Sequence, residues 1–241
     1  SENGCENEEY YRLTLKNAKD LTSSEKVLIL KNFFSCDLNS AIIPVKRYKE
    51  LYDKRGDSLE EELLAIRAKE FSEQDFRDLQ LLFNLAWCGY TLKEKDKLVH
   101  SLVFKAKHFS EEDKSLLLKK QLEIVKKIIP EYKKLQDSGQ IEISTTPFYH
   151  PILPILCGDN PGKKFDFKKD AKIQIDRAVA YYEELFGKKP VGMWPSEGSV
   201  SQSIIPMLEE AGIKWIATDE GILIESFRGE DISRGKLIYN V

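Results

Sequence analysis

Three short stretches of this 241-residue chain hold side chains that could do chemistry together. In GMWPSEGSV, residues 192 to 200, the carboxylate of Glu197 stands between a Pro-Ser pair and a glycine, just after Trp194. A glutamate on a solvated helix needs no such punctuation; Pro, Ser and Gly in succession mark a tight turn that aims a side chain. Ser144-Thr145-Thr146 with Tyr149-His150, and Thr218-Asp219-Glu220, repeat the mix of hydroxyls, aromatics and carboxylates. That mix suits a sugar, because aromatic faces cover the apolar side of a pyranose ring while carboxylates accept hydrogen bonds from its hydroxyls. Cleaving a glycosidic bond further needs two carboxyl groups, roughly 5 Å apart for retention and wider for inversion. Glu197 fits one of them, and Asp219 or Glu220 is the tempting second. Each residue also has a plainer reading. Glu197 can cap a following helix, Trp194 can be core, and His150 can be fixed by loop hydrogen bonds. Asp219 and Glu220 can be no more than a turn and a helix start.

These stretches need elements to position them. IEIST, 141 to 145, reads as a short buried strand, and PVGMW, 190 to 194, and KWIAT, 214 to 218, read as two more. Between the first two, a helix is expected over about 168 to 186. Ala171, Ile175, Ala178, Val179, Tyr182 and Phe186 lie on its one apolar face, and Gly187 and Pro190 stop it. A shorter helix runs to Ala211, with Gly212 at its end. Strand, helix, strand, helix, strand at this spacing argues a parallel sheet with crossover helices. In such architectures chemistry gathers at the carboxyl ends of the strands, where all three polar stretches fall.

Residues 8 to 137 have a helical rhythm instead. TSSE (22 to 25), SLEE (58 to 61), SEQD (72 to 75) and SEED (110 to 113) resemble capping boxes. DLQLLFNLAWCGY, 78 to 90, is apolar nearly all round, as a buried helix is. After Ser110, Leu116, Leu117, Leu122, Val125, Ile128 and Ile129 form a helical stripe that Pro130 should kink or end, and Gly139 closes the region.

Composition narrows the function classes. With 32% charged and 41% hydrophobic residues, the chain is that of a folded globular protein with room for a sizeable core. A net charge of -3 argues against nucleic acid as the main partner. No apolar run is long enough for a bilayer, and the first residues lack a signal-peptide pattern, so no membrane partner and a cytoplasmic location are expected. Cys5, Cys36, Cys88 and Cys157 are scattered, and His100, His108 and His150 have no metal-ligand spacing, so neither a metal nor another cofactor is expected.

GQIEISTTPFYHPILPIL, 139 to 156, and PVGMWPSEGSVSQ, 190 to 202, resemble two motif regions of glycoside hydrolase family 57, which holds amylases, branching enzymes and glucanotransferases. IKWIATDEGIL, 213 to 223, and FNLAW, 83 to 87, are similar to segments of its amylase-like branch. The two long motifs are specific, and the resemblance covers 78 to 223. It implies a (β/α)7 barrel that acts on α-glucans with retention and without a metal. The family's nucleophile falls on Glu197, and His150 falls in its second motif region, beside the sugar at the scissile bond. Tyr149, Trp194, Asp219 and Glu220 are then expected to contact the α-glucan or oligosaccharide.

The chain departs from the family pattern in two places. No His-Gln-Pro motif occurs, and the FRDH-like motif carrying the acid/base aspartate has no counterpart here, so that role does not transfer to Asp219. The expectation is therefore an internal part of a larger enzyme, inactive alone and completed by the rest of its parent chain. Its fold class is α/β: a partial (β/α)7-type barrel with parallel strands and a large helical N-terminal portion. Residues 1 to 241 form one partial catalytic domain, of which 1 to 137 is mainly helical and 138 to 241 is the βα barrel portion. The competing readings are a non-catalytic carbohydrate-binding or scaffold module derived from the barrel and, more remotely, a metal-dependent barrel deacetylase.

Overall fold

A computed structural model describes residues 9–159 and 166–226 of the chain. They form two compact units, Ser1–Lys126 and Lys127–Val241, whose boundary falls inside one long helix.

The first unit is helical throughout its described residues. Helices α1 (Glu9–Leu15), α2 (Ser23–Asn32), α3 (Lys46–Arg55), α4 (Glu61–Glu70), α5 (Glu73–Ala86), α6 (Tyr90–Lys95) and α7 (Lys97–Lys105) lead into α8 (Glu111–Asp137). Three of the four expected capping boxes form. Thr22 and Glu25, Ser72 and Asp75, and Ser110 and Asp113 each exchange side-chain and backbone bonds, closing orphan N–H groups at the first turns of α2, α5 and α8. SLEE fails because its register is off: α4 starts after Glu60, whose side chain caps nothing, and Ser58 reaches only the Glu60 N–H at 3.3 Å. Helix α5 is buried on nearly every side, as its sequence predicts, but it ends at Ala86 rather than running to residue 90. Its buried polar groups are all engaged. Asp78 accepts from Arg47 at 2.8 Å and from the Phe109 N–H at 3.0 Å, and Gln80 donates to the Leu13 carbonyl at 2.6 Å. Pro130 neither ends nor splits α8, which continues to Asp137. The residues around it are exposed, so the carbonyl that loses its donor is open to water.

Two carboxylates in this unit make its stability sensitive to acid. Burial alone would raise Glu25, but Lys16, Arg12 and Thr22 outweigh it and hold the carboxyl at about 2. Asp75 is likewise pushed up by burial and pulled down further, by Lys54, Ser72 and Arg47, to about 2. Both folded values lie below the ordinary ones, 4.5 for Glu and 3.8 for Asp, so the stabilisation is complete above about 4.5 and is lost as pH falls towards 2. The denaturant midpoint followed by circular dichroism is expected to drop through that window. Glu25→Gln and Asp75→Asn should be less stable at neutral pH and flatter across it; variants as steep as the wild type would refute the assignment.

The second unit holds the parallel strands. Gly139, with φ of 73°, ends α8 as its sequence predicts, its N–H meeting the Gln136 carbonyl at 3.0 Å. Strands β1 (Gly192–Met193) and β2 (Trp215–Ile216) pair in parallel, Gly192 opposite Trp215 and Met193 opposite Ile216, and Thr145 bridges Met193 in parallel on the other side. Two of the three expected strands form, far shorter than their apolar runs; the expected buried strand 141 to 145 does not, since only Thr145 bridges and none of the five residues is buried. A short helix, α9 (Leu153–Leu156), follows the bridge, and α10 (Lys168–Phe186) crosses over to β1. Its buried face is Ala171, Ile175, Ala178, Val179, Tyr182 and Phe186, the set its periodicity predicts. Helix α11 (Ile205–Glu210) crosses from β1 to β2, and α12 (Glu220–Ser226) follows β2. Met193 is fully buried at the centre of the core, with Leu153, Ile175, Ile204 and Leu208 around it. The chain is therefore mostly helical with a small parallel sheet, an α/β arrangement. Among the described residues no helix is long and apolar enough to cross a membrane.

Candidate functional site

The carboxyl ends of the three parallel segments converge on Glu197. After β1, Pro195–Ser199 folds into a single tight turn in which the Gly198 N–H meets the Pro195 carbonyl at 2.8 Å. Glu197 sits at φ 56° and ψ 22°, the left-handed region that β-carbons disfavour. Gly198, at φ 65°, suits the turn because a side chain there would be strained and crowded: a β-carbon would stand 3.3 Å from the Asp219 nitrogen and 3.4 Å from the Trp194 ring. From the end of β2, the Thr218 hydroxyl donates to the Gly198 carbonyl at 2.5 Å and anchors the turn. Glu197 does not cap the following helix, since α11 starts at Ile205 after an N-cap, Ile204, that has no side-chain bond. Its side chain is instead 73% exposed.

His150 comes to Glu197 from the segment after the Thr145 bridge. It too is left-handed, at φ 56°, in a turn closed by its own N–H on the Pro147 carbonyl at 2.8 Å. Its Nε2 lies 3.4 Å from Glu197 Oε1 and its Nδ1 lies 3.0 Å from Thr146 Oγ1. The first distance is at the long end for a hydrogen bond. The plain reading of His150, a ring fixed by loop bonds, holds for one nitrogen, while the other faces the carboxylate.

Helix α10 carries two further residues, Gln174 and Arg177, that its apolar pattern does not single out. Gln174 accepts the Tyr149 N–H on its side-chain oxygen at 2.9 Å and the Phe148 N–H on its carbonyl at 3.2 Å. Arg177, one turn on, places its guanidinium 4.5 Å from the Phe148 ring centre and 5.2 Å from that of Tyr149. Their i, i+3 spacing opposite the apolar stripe was the available signal. Tyr149 remains 68% exposed, and Trp194 is 41% exposed. Trp194 borders a cleft of about 470 Å³, whose walls include Thr146, Phe148, Tyr181 and Tyr182.

The other two candidates behave differently. Asp219 Oδ1 accepts the Gly221 N–H at 2.7 Å at the start of α12, the helix-start role. Glu220 is the exposed first residue of that helix. Among the described residues neither carboxylate is hydrogen-bonded to Glu197 or His150, although the Asp219 backbone abuts the Glu197 turn. Among those residues too, no three His, Cys, Asp or Glu side chains gather as a metal site.

Comparison with known proteins adds to this geometry. Over 95 residues, 38% of its length, the chain is 34% identical to alpha-amylase 1 of Dictyoglomus thermophilum, of which the match covers 12%. It is 29% identical over 113 residues, 41% of its length, to a 1,4-alpha-glucan branching enzyme of Thermococcus kodakarensis, of which 15% is covered. The matches thus span less than a sixth of the length of either relative. No solved structure gives a significant match. The family model described as glycosyl hydrolase family 57 matches residues 8–240, nearly the whole sequence, and the chain belongs to that family.

Proposed function

We propose that this chain is the central part of the catalytic domain of a retaining α-glucan hydrolase or glucanotransferase, with Glu197 as the nucleophile. The observation that carries this reading is the placement of Glu197: exposed, on a left-handed turn at the end of the central strand, free of any capping duty, and facing His150 Nε2. In the reaction a Glu197 oxygen attacks the anomeric carbon as the bond to the leaving oxygen breaks. The glycosyl-enzyme ester then yields to water or to a sugar hydroxyl, which decides hydrolysis or transfer. His150 holds the sugar at the scissile bond, and the exposed rings of Tyr149 and Trp194 offer faces to neighbouring units. The acid/base aspartate belongs to a part of the protein outside these residues; the engagement of Asp219 with Gly221 supports leaving that role elsewhere. The parallel unit belongs to a (β/α)7-type barrel. Both compact units belong to one catalytic domain, a view supported by the unbroken family match across them.

The 241-residue chain alone is expected to bind maltooligosaccharides in a calorimeter but to release no new reducing ends. General acid-base help contributes about 10²- to 10⁴-fold, so its absence leaves turnover below detection. Ready cleavage by the isolated chain would place the acid within it and overturn this division of roles.

A further inference from the structure

The hydrogen-bond chain from Thr146 to His150 to Glu197 takes one direction when Glu197 is ionised and the ring is neutral. An ionised Glu197 carboxylate only accepts, so the His150 nitrogen facing it, Nε2 at 3.4 Å, must carry a proton. A neutral imidazole has one N–H, so Nδ1 is then a bare acceptor. The group 3.0 Å from Nδ1 is the Thr146 hydroxyl, which can donate or accept and here must donate. We infer that Thr146 is a positioning residue that holds His150 as the Nε2–H tautomer, with its N–H aimed at Glu197 Oε1. The role rests on Glu197 being the nucleophile. By fixing one carboxylate oxygen, the His150 N–H leaves the other, Oε2, free to attack, and it keeps the carboxylate from turning between two equivalent poses.

The backbone supports the arrangement independently. His150 is held left-handed by the bond from its own N–H to the Pro147 carbonyl, which folds residue 150 back over residue 146. Gln174 takes the two intervening N–H groups, of Phe148 and Tyr149, and pins the loop to α10. Thr146 follows directly on the bridge residue Thr145, so its hydroxyl is referenced to the sheet rather than to a mobile side chain. A donor whose own position is set by two elements is suited to fixing a tautomer, as second partners of functional histidines generally do.

The tautomer can be read directly. The chain has only three histidines, so ¹⁵N labelling of their rings gives a sparse spectrum, in which His150→Asn identifies the signals of residue 150. At about pH 9, where an ordinary imidazole is neutral, the wild type is expected to show a protonated Nε2. Its unprotonated Nδ1 should be shifted towards the protonated side by the hydroxyl. Thr146→Val keeps the shape and removes the donor; it should abolish that Nδ1 shift and admit the Nδ1–H tautomer. Thr146→Ser should restore both features. A wild-type ring protonated at Nδ1 would overturn the assignment, as would a Thr146→Val spectrum superimposable on the wild type, which would leave Glu197 alone in control. The wild-type reading stands even if Thr146→Val does not fold. Activity retained in Glu197→Gln would refute the nucleophile reading, whereas the ring spectrum, recorded without substrate, decides separately whether Thr146 holds the tautomer.

Discussion

Glu197→Gln, made in an active enzyme that carries this segment, is expected to lower kcat by on the order of 10⁴- to 10⁶-fold, the loss typical of removing a covalent nucleophile. The amide occupies the same volume, so the turn should survive: Thr218 still anchors Gly198, and Gly198 still packs beneath Trp194. Glucan affinity by titration calorimetry should therefore change little. The amide can also accept the His150 N–H on its oxygen, which keeps the ring in place, but it cannot form an ester with the anomeric carbon. Near-normal turnover would remove Glu197 from the chemistry altogether. A loss of activity matched by an equal loss of glucan binding would make it a sugar contact and no nucleophile.

The second large effect falls on folding. Gly192, the first residue of β1, lies beneath the ring of its cross-strand partner Trp215, and a β-carbon there would come within 2.1 Å of two ring carbons. Something must move. The Trp215 ring is tied by its N–H to Glu142 at 2.7 Å, so displacing it forfeits a hydrogen bond that joins β2 to the segment before Thr145. Gly192→Ala is expected to destabilise the second unit by about 1–3 kcal/mol, the range for forcing atoms into packed space. In a Trp215→Ala background the same change should cost little, because the obstacle is gone and the two effects couple. Urea unfolding of the four-member cycle measures this directly. Additive costs would mean that the ring does not lie over Gly192.

Much of this arrangement is written locally in the chain. The buried face of α10 follows its 3.6-residue period residue by residue, because a crossover helix of 19 residues has enough turns for the pattern to be unambiguous. Two of the three strand positions are legible as well, but their lengths are not, and the segment 141 to 145 contributes only the bridge at Thr145. Ladder length and burial depend on partners distant in sequence, and here few residues find them. Of the two outcomes expected at Pro130, a kink or an end, the end does not occur, because the cost of the proline depends on where the freed carbonyl lies, which is a tertiary fact. At the site, the turn punctuation around Glu197 and the Tyr-His-Pro around His150 single out the two residues that do meet. The partners that hold them could not be ranked beforehand. Thr146 is one polar strand-end residue among three, and the apolar pattern of α10 does not single out Gln174 or Arg177. Their roles exist only once a loop is laid against a helix.

His150 and Glu197 share one backbone feature, a φ of 56°, which glycine adopts freely, histidine less readily and glutamate seldom. Such residues cost on the order of 1–3 kcal/mol each where the fold must hold them there. At both positions the substitutions that ease the backbone are also the ones that discard the imidazole or the carboxylate, so a glycine at either place trades the facing pair of side chains for a sturdier turn.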